Sequence, residues 1–202
     1  MFYDPIANTH GLRHDPFKAL AVPRPIGWVS SLSSAGDVNL APYSFFNAIS
    51  DRPQYVVFGS AGRKDSVQNI SETGEFVCSM ATEALAAAQN ATSAHVPRDV
   101  DEFDISGLHK APSEKVAPPR VREAPVAFEC KLWKMFDLPP VEAGGAPGYT
   151  IVFGFVVGTY IDDAFINDDI VDTAAMRPLA RLGYLDYAVV NAANTMTLKR
   201  PG

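Results

Sequence analysis

Proline is the residue that most narrows what this chain can become. It occurs 16 times in 202 residues, about 8% against a usual ~5%, and each one fixes φ and removes a backbone donor. Long helices are thereby disfavoured. Between the prolines lie runs of Phe, Tyr, Val and Ile bounded by Gly, Ser, Asn and Asp, the pattern of many short strands joined by turns. The expected fold is mostly β, and the length fits one domain over residues 1–202.

Strands are expected at 26–33, 38–49, 55–60, 75–80, 126–136, 149–161 and 184–190. Val126, Phe128, Cys130 and Leu132 alternate with Ala127, Glu129, Lys131 and Trp133, a period of two that predicts one wet face. Ser34-Ala35-Gly36-Asp37 carries the small polar residues of a hairpin turn, pairing the first two strands. Segment 26–33 by itself reads as an edge strand, and Pro42 inside 38–49 marks an edge or a bulge. A helix is expected from a cap at Asp65, with Gln68 completing a box-like start, through Val67 and Ile70 to a stop at Gly74. An alanine-rich helix follows at about 82–93. The loops 111–125 and 144–148 do not separate independently foldable halves.

Charge and motifs exclude several functions. With 17 Lys+Arg against 23 Asp+Glu the net charge is -6, the opposite of a nucleic-acid footprint. The longest apolar candidate, 149–161, is broken by Gly154 and Gly158 and falls short of the roughly 20 residues of a membrane helix. Met1-Phe2-Tyr3-Asp4-Pro5 shows no charged-then-apolar leader, and two cysteines form no disulfide framework, so a reduced cytoplasmic setting is expected. Cys78 and Cys130 read as small core hydrophobes. Dinucleotide, Walker, nucleophile-elbow and zinc-protease signatures are absent. His10 and His14 read as solvated loop residues, and Asp162, Asp163, Asp168 and Asp169 as an exposed acidic turn, not metal ligands.

Residues 23–70 combine what a flat anionic ligand needs. Gly62-Arg63-Lys64-Asp65-Ser66 puts two cations and a hydroxyl where a strand hands over to a helix, whose first amides and dipole favour an anion. A capped, solvated helix start accounts for the same residues equally well. Trp28-Val29-Ser30-Ser31 follows Pro23-Arg24-Pro25-Ile26-Gly27 and brings hydroxyls and an indole together. Asn39-Leu40-Ala41-Pro42-Tyr43-Ser44-Phe45-Phe46-Asn47 mixes polar groups with aromatics; Phe45 and Phe46 suit a core, whereas Ser44 and Asn47 are harder to explain by packing.

Taken in order, Arg24 to Ser31, Asn39 to Asn47, and Lys64-Asp65-Ser66 with Asn69 resemble the flavin reductase-like, FMN-binding split-barrel family. Gly74-Glu75-Phe76-Val77, Ser106-Gly107-Leu108, the glycine-containing strand Val152 to Gly158 and Pro178-Leu179-Ala180-Arg181-Leu182-Gly183 with Tyr187 extend the resemblance over most of the chain. It implies a six-stranded split β-barrel with peripheral helices, dimerised with FMN near the subunit interface. Trp28, Val29, Ser30 and Ser31 would lie along the flavin, Ser44 and Asn47 would bond its ring or ribityl chain, and Arg63, Lys64, Asp65 and Ser66 would form the phosphate site. Ser66 stands where threonine is frequent and Tyr43 where phenylalanine is. Loops 111–125 and 144–148 are additions to a minimal split barrel that could cover the flavin and set substrate choice, a role to which the resemblance does not extend.

The chemistry implied is hydride transfer from NADH or NADPH to FMN, which needs no protein acid or base. This is the chemistry of an NAD(P)H-dependent flavin reductase, which could supply reduced flavin to a separate monooxygenase; the alternatives are an FMN-containing electron carrier reduced by a partner protein and a flavin-free split-barrel binding protein.

Overall fold

The protein is described by a computed structural model covering residues 1–140, 145 and 148–201. Residues 144, 146 and 147 of the glycine-rich loop lie outside the described residues. Seven strands form the main sheet: β1 Gly27–Leu32, β2 Val38–Tyr43, β3 Phe46–Asp51, β4 Gln54–Ala61, β5 Glu75–Met80, β6 Val126–Asp137 and β7 Tyr149–Ile161. Their order is β2-β1-β5-β6-β7-β4-β3, every neighbouring pair being antiparallel.

Covalent connectivity forces this sheet to curl. The outermost strands β2 and β3 are joined through Ser44 and Phe45 alone, a reach of at most about 11 Å. Seven flat strands at about 4.8 Å spacing would hold them about 29 Å apart. The sheet therefore closes on itself, leaving a split between its two ends. Phe45 O accepts from Gly59 N at 2.8 Å and ties the connection to β4. Across the seam the Phe46 ring lies so close to Gly27 that a Cβ there would sit 2.4 Å from it, a contact only glycine permits.

The barrel interior is filled by Val29, Tyr43, Phe58, Phe76, Cys78, Cys130 and Val152, and is plugged at one end by Val67 and Ile70 of helix α1, Asp65–Thr73. Helix α2, Ala86–Ala91, and helix α3, Glu102–Ser106, pack outside. There a second cluster gathers Trp28, Leu40, Phe103, Val121 and Leu179. Gly74, at φ 73°, ends α1 as expected.

Several expectations change. The 38–49 strand breaks at Ser44–Phe45, giving seven strands where six were implied, because its halves serve opposite ends of one sheet. Segment 26–33 is no edge: β1 runs between β2 and β5, while Pro42 does lie in the outermost strand β2. Asp65 is the first helical residue of α1, and Lys64 takes the cap position in extended conformation without a side-chain bond. The 82–93 helix divides into a 3-10 turn, Glu83–Leu85, and α2. The last strand shortens to Tyr187–Val189, in a three-stranded sheet with Leu179–Arg181 and Arg24–Pro25.

The wet face of β6 is covered at its start. Ala127 and Glu129 are buried, and Glu129 accepts from the amides of Glu114 and Lys115 in the 111–125 loop. His10 is buried rather than solvated, its Nδ1 accepting from Leu12 N. Asp168 and Asp169, at φ 49° and 60°, turn an exposed two-stranded ribbon, and both cysteines sit in the barrel core. Among the described residues no helix is long and apolar enough to cross a membrane.

Candidate functional site

At the plugged end of the barrel, β4 passes through Gly62 into α1 and opens a cleft of about 380 Å³. Its mouth carries Arg63 and Lys64, both exposed. Lys64 stands at the positive end of the α1 dipole, where an anion is favoured. Arg63 Nη2 donates to Asp137 Oδ2 at 3.2 Å, and Asp137 also accepts from Thr150 Oγ1 at 2.6 Å. The Thr150 hydroxyl, and then the Arg63 guanidinium, hold the Asp137 carboxyl below its usual range. Asp65 meets Arg98 at 3.4 Å.

The wall of the cleft is a relay of hydrogen bonds. Ser66, 1% exposed, donates through Oγ to Asn39 Oδ1 at 2.6 Å. Asn39 Nδ2 donates to Glu102 Oε1 at 2.8 Å, while Glu102 Oε2 accepts from Leu40 N at 2.9 Å. Burial pushes the Glu102 carboxyl above its ordinary value, against the hydrogen bonds it accepts. Tyr43 lines the same cleft, but its Oη is buried beneath the wall beside the Ser66 and Ser60 hydroxyls. Burial also raises its phenol pKa.

The structure brings Arg63, Lys64, Asp65 and Ser66 together in this cleft. Trp28, Val29, Ser30 and Ser31 lie behind it and are fully buried. Trp28 Nε1 donates to Thr92 Oγ1 at 2.9 Å, Ser30 Oγ donates to Pro119 O, and Ser31 Oγ accepts from Asn69 Nδ2 at 3.2 Å. Both faces of β1 are covered, one by the barrel core and one by the outer cluster. Ser44 lines an adjoining cavity of about 370 Å³, which shares Pro42 and Ser93 with the first. Asn47 is exposed and belongs to a separate, mainly apolar cleft with Phe46, Cys78 and Phe128.

Sequence reasoning missed Glu102 and Arg98. Arg98 Nη2 donates to Asn69 Oδ1 at 2.7 Å, clamping α1 from outside. Both come from the stretch after α2, which carries no local sign that it will fold back onto β2 and α1. Only the DEF-like run Asp101-Glu102-Phe103, with an acidic residue beside a core aromatic, hinted at a buried carboxylate.

A model of the flavin reductase-like domain matches residues 19–179. An uncharacterised protein of Aquifex aeolicus is 36% identical over 170 residues, covering 81% of this chain and 83% of its own length. Among solved structures, nitrilotriacetate monooxygenase component B from Bacillus cereus superposes with a TM-score of 0.86 at 28% identity, covering 98% of each chain. The 2-nitrobenzoate 2-nitroreductase NbaA of Pseudomonas fluorescens gives 0.86 at 28% identity, covering 100% of this chain and 96% of that one. The curled sheet with its split, the outer helices and these matches agree: the chain belongs to the flavin reductase-like family, with its split-barrel fold.

Proposed function

We propose that this chain is an FMN-dependent oxidoreductase, one domain over residues 1–202 that works in the cytoplasm as a homodimer and takes its electrons from NADH or NADPH. The observation that carries the reading is the cleft at the start of α1. Its donor set fits a phosphate monoester carrying about -1.5 to -2 charges near neutral pH: two exposed cations and the first amides of a nine-residue helix. Bound flavin would supply the redox chemistry, accepting hydride from the nicotinamide and passing the electrons on.

The chain's own residues bind and orient. Arg63 and Lys64 would neutralise the phosphate, and Asp65 would hold Arg98 against α1. Ser66 would keep the wall in register through Asn39 and Glu102. Ser44, in the adjoining cavity, would bond the ribityl chain or ring; Asn47 would reach the ligand only from its separate cleft. Trp28, Val29, Ser30 and Ser31 would act from behind, through Thr92 and Asn69. No side chain serves as acid or base.

An exposed aromatic face supports the homodimer. Tyr55, Trp133, Phe153 and Phe155 form a chain of ring contacts 5.3 to 5.8 Å apart across β4, β6 and β7, and Trp133 remains 59% exposed. Patches of this kind mark interfaces. The likeness to a monooxygenase component B favours delivery of reduced flavin to a separate oxygenase.

The test is an absorption spectrum after FMN addition and desalting, followed by anaerobic NADH and then NADPH. Retained flavin bands that bleach with either nucleotide are expected. Retained bands that do not bleach would replace the nicotinamide donor by a partner protein, as in an electron carrier. Absence of both retained flavin and steady-state flavin reduction would overturn the reading in favour of a flavin-free barrel.

A further inference from the structure

Beyond the phosphate cleft, three cations converge where two cavities meet. Lys18 and Arg24 line both the cavity that holds Ser44 and an apolar one of about 750 Å³ walled by Phe45, Tyr149 and Ile151. Arg181 lines the first of these. The volume is in the range of small-molecule sites. Lys18 and Arg24 stand 6.0 and 5.7 Å from the Phe45 ring centroid, and Arg181 lies 4.4 Å from that of Tyr187.

Arg24 is 8% exposed. Its terminal nitrogens donate to the carbonyls of Lys18, Ala21 and Leu182, and its Nε has no partner. Among the described residues neither Arg24 nor Arg181 meets a carboxylate. Arg181 donates instead to Tyr184 O. Among the described residues the one carboxylate lining either cavity is Asp15, whose Oδ1 accepts from Phe17 N at 2.8 Å. Burial, and next repulsion from Arg181, pull the Arg24 guanidinium below its ordinary value. In a chain of net charge -6, the buried Arg24 guanidinium, with Arg181 and the exposed Lys18 beside it, has no carboxylate partner among the described residues, and a bound anion would offset that charge.

The geometry points to an oxyanion subsite built from Lys18, Arg24 and Arg181, which holds the carboxylate or phosphate of a ligand whose flat aromatic body lies against Phe45 and Tyr149. Arginine forks suit either oxyanion. Anion binding stands on these residues alone; its use in electron transfer rests on the flavin reading, since the subsite lines the Ser44 cavity that this reading gives to the ribityl chain or ring.

Calorimetric titration of benzoate, benzamide and NADH into the full chain, with and without FMN, tests this in wild type, Arg181→Gln and the exposed-site variant Lys18→Gln. Benzoate or NADH should bind wild type, benzamide should bind more weakly than benzoate, and Arg181→Gln should lose about tenfold or more. Loss confined to benzoate assigns a carboxylate substrate, and loss confined to NADH assigns the nucleotide's phosphates. If neither anion binds wild type, or both folded variants bind both anions as wild type does, the subsite is overturned. Benzamide binding as tightly as benzoate, with NADH unaffected by either substitution, would also overturn it. Charge-dependent benzoate binding without any retained FMN would leave the subsite standing and remove the flavin reading.

Discussion

Glu102 shows how one carboxylate organises a wall. It sits out of water and accepts from the Leu40 amide and the Asn39 side chain, so the strand β2 and helix α1 share one polar hub. Because burial raises its pKa above the ordinary 4.5, the folded state binds the proton more tightly than the unfolded chain. Its contribution is therefore fully present below that ordinary value and is lost as pH rises through the raised one. Urea midpoints of wild type and Glu102→Gln between about pH 4.5 and about pH 7 should show wild type losing ground to the variant. A constant difference would mean the carboxyl is not perturbed. At the cleft mouth, Arg63→Ala with Lys64→Ala removes two exposed side chains without touching the core. FMN affinity, followed by quenching of flavin fluorescence, should fall about 10- to 150-fold for each charge-assisted bond lost, roughly 1.5–3 kcal/mol. Unchanged affinity would move the phosphate elsewhere.

Among the elements, β5 and β7 keep the bounds their patterns announce, 75–80 and 149–161, because each is an apolar run with turn residues at both ends. Strand β7 nevertheless hides a constraint. The Phe76 ring fills the space above Gly154, where an added Cβ would lie 2.3 Å from its Cζ and 3.1 Å from the Cβ of Cys130. The β6–β7 register also shifts there, between Phe153 and Gly154. Gly154→Ala should cost about 1–3 kcal/mol, as overpacking of a dense core does, and should lower the urea midpoint. An unchanged midpoint would show that the Phe76 ring moves aside freely.

For the whole molecule, the aromatic face of β4, β6 and β7 decides assembly in the proposed function. Trp133 lies beside Tyr55 and Phe153, the central, aromatic type of residue that dominates interfaces. Trp133→Glu should weaken the proposed homodimer by about 2 kcal/mol or more, roughly 30-fold, shifting the light-scattering mass at micromolar concentration toward the monomer. A wild-type mass that is already monomeric would remove the dimer. A variant that stays dimeric would place the interface on another face.

The sequence by itself determined the strand-rich composition, the hairpin at Ser34 to Asp37, the stop of α1 at Gly74 and the cation-bearing turn at Arg63 and Lys64. All of these are written within a few residues, where φ preferences, period-two alternation and helix-end chemistry act. Tertiary structure decided what depends on closure. Ser44 and Phe45 bridge two sheet ends, so the one strand expected over 38–49 became two; β1 came to lie inside the sheet, which buried Trp28, Val29, Ser30 and Ser31 together. Glu102 and Arg98 reached α1 and β2 from about 30 to 60 residues away in sequence. Lys18, Arg24 and Arg181 met across nearly the whole chain. Contacts of that range are set by packing the barrel against its outer layer, which no local pattern encodes.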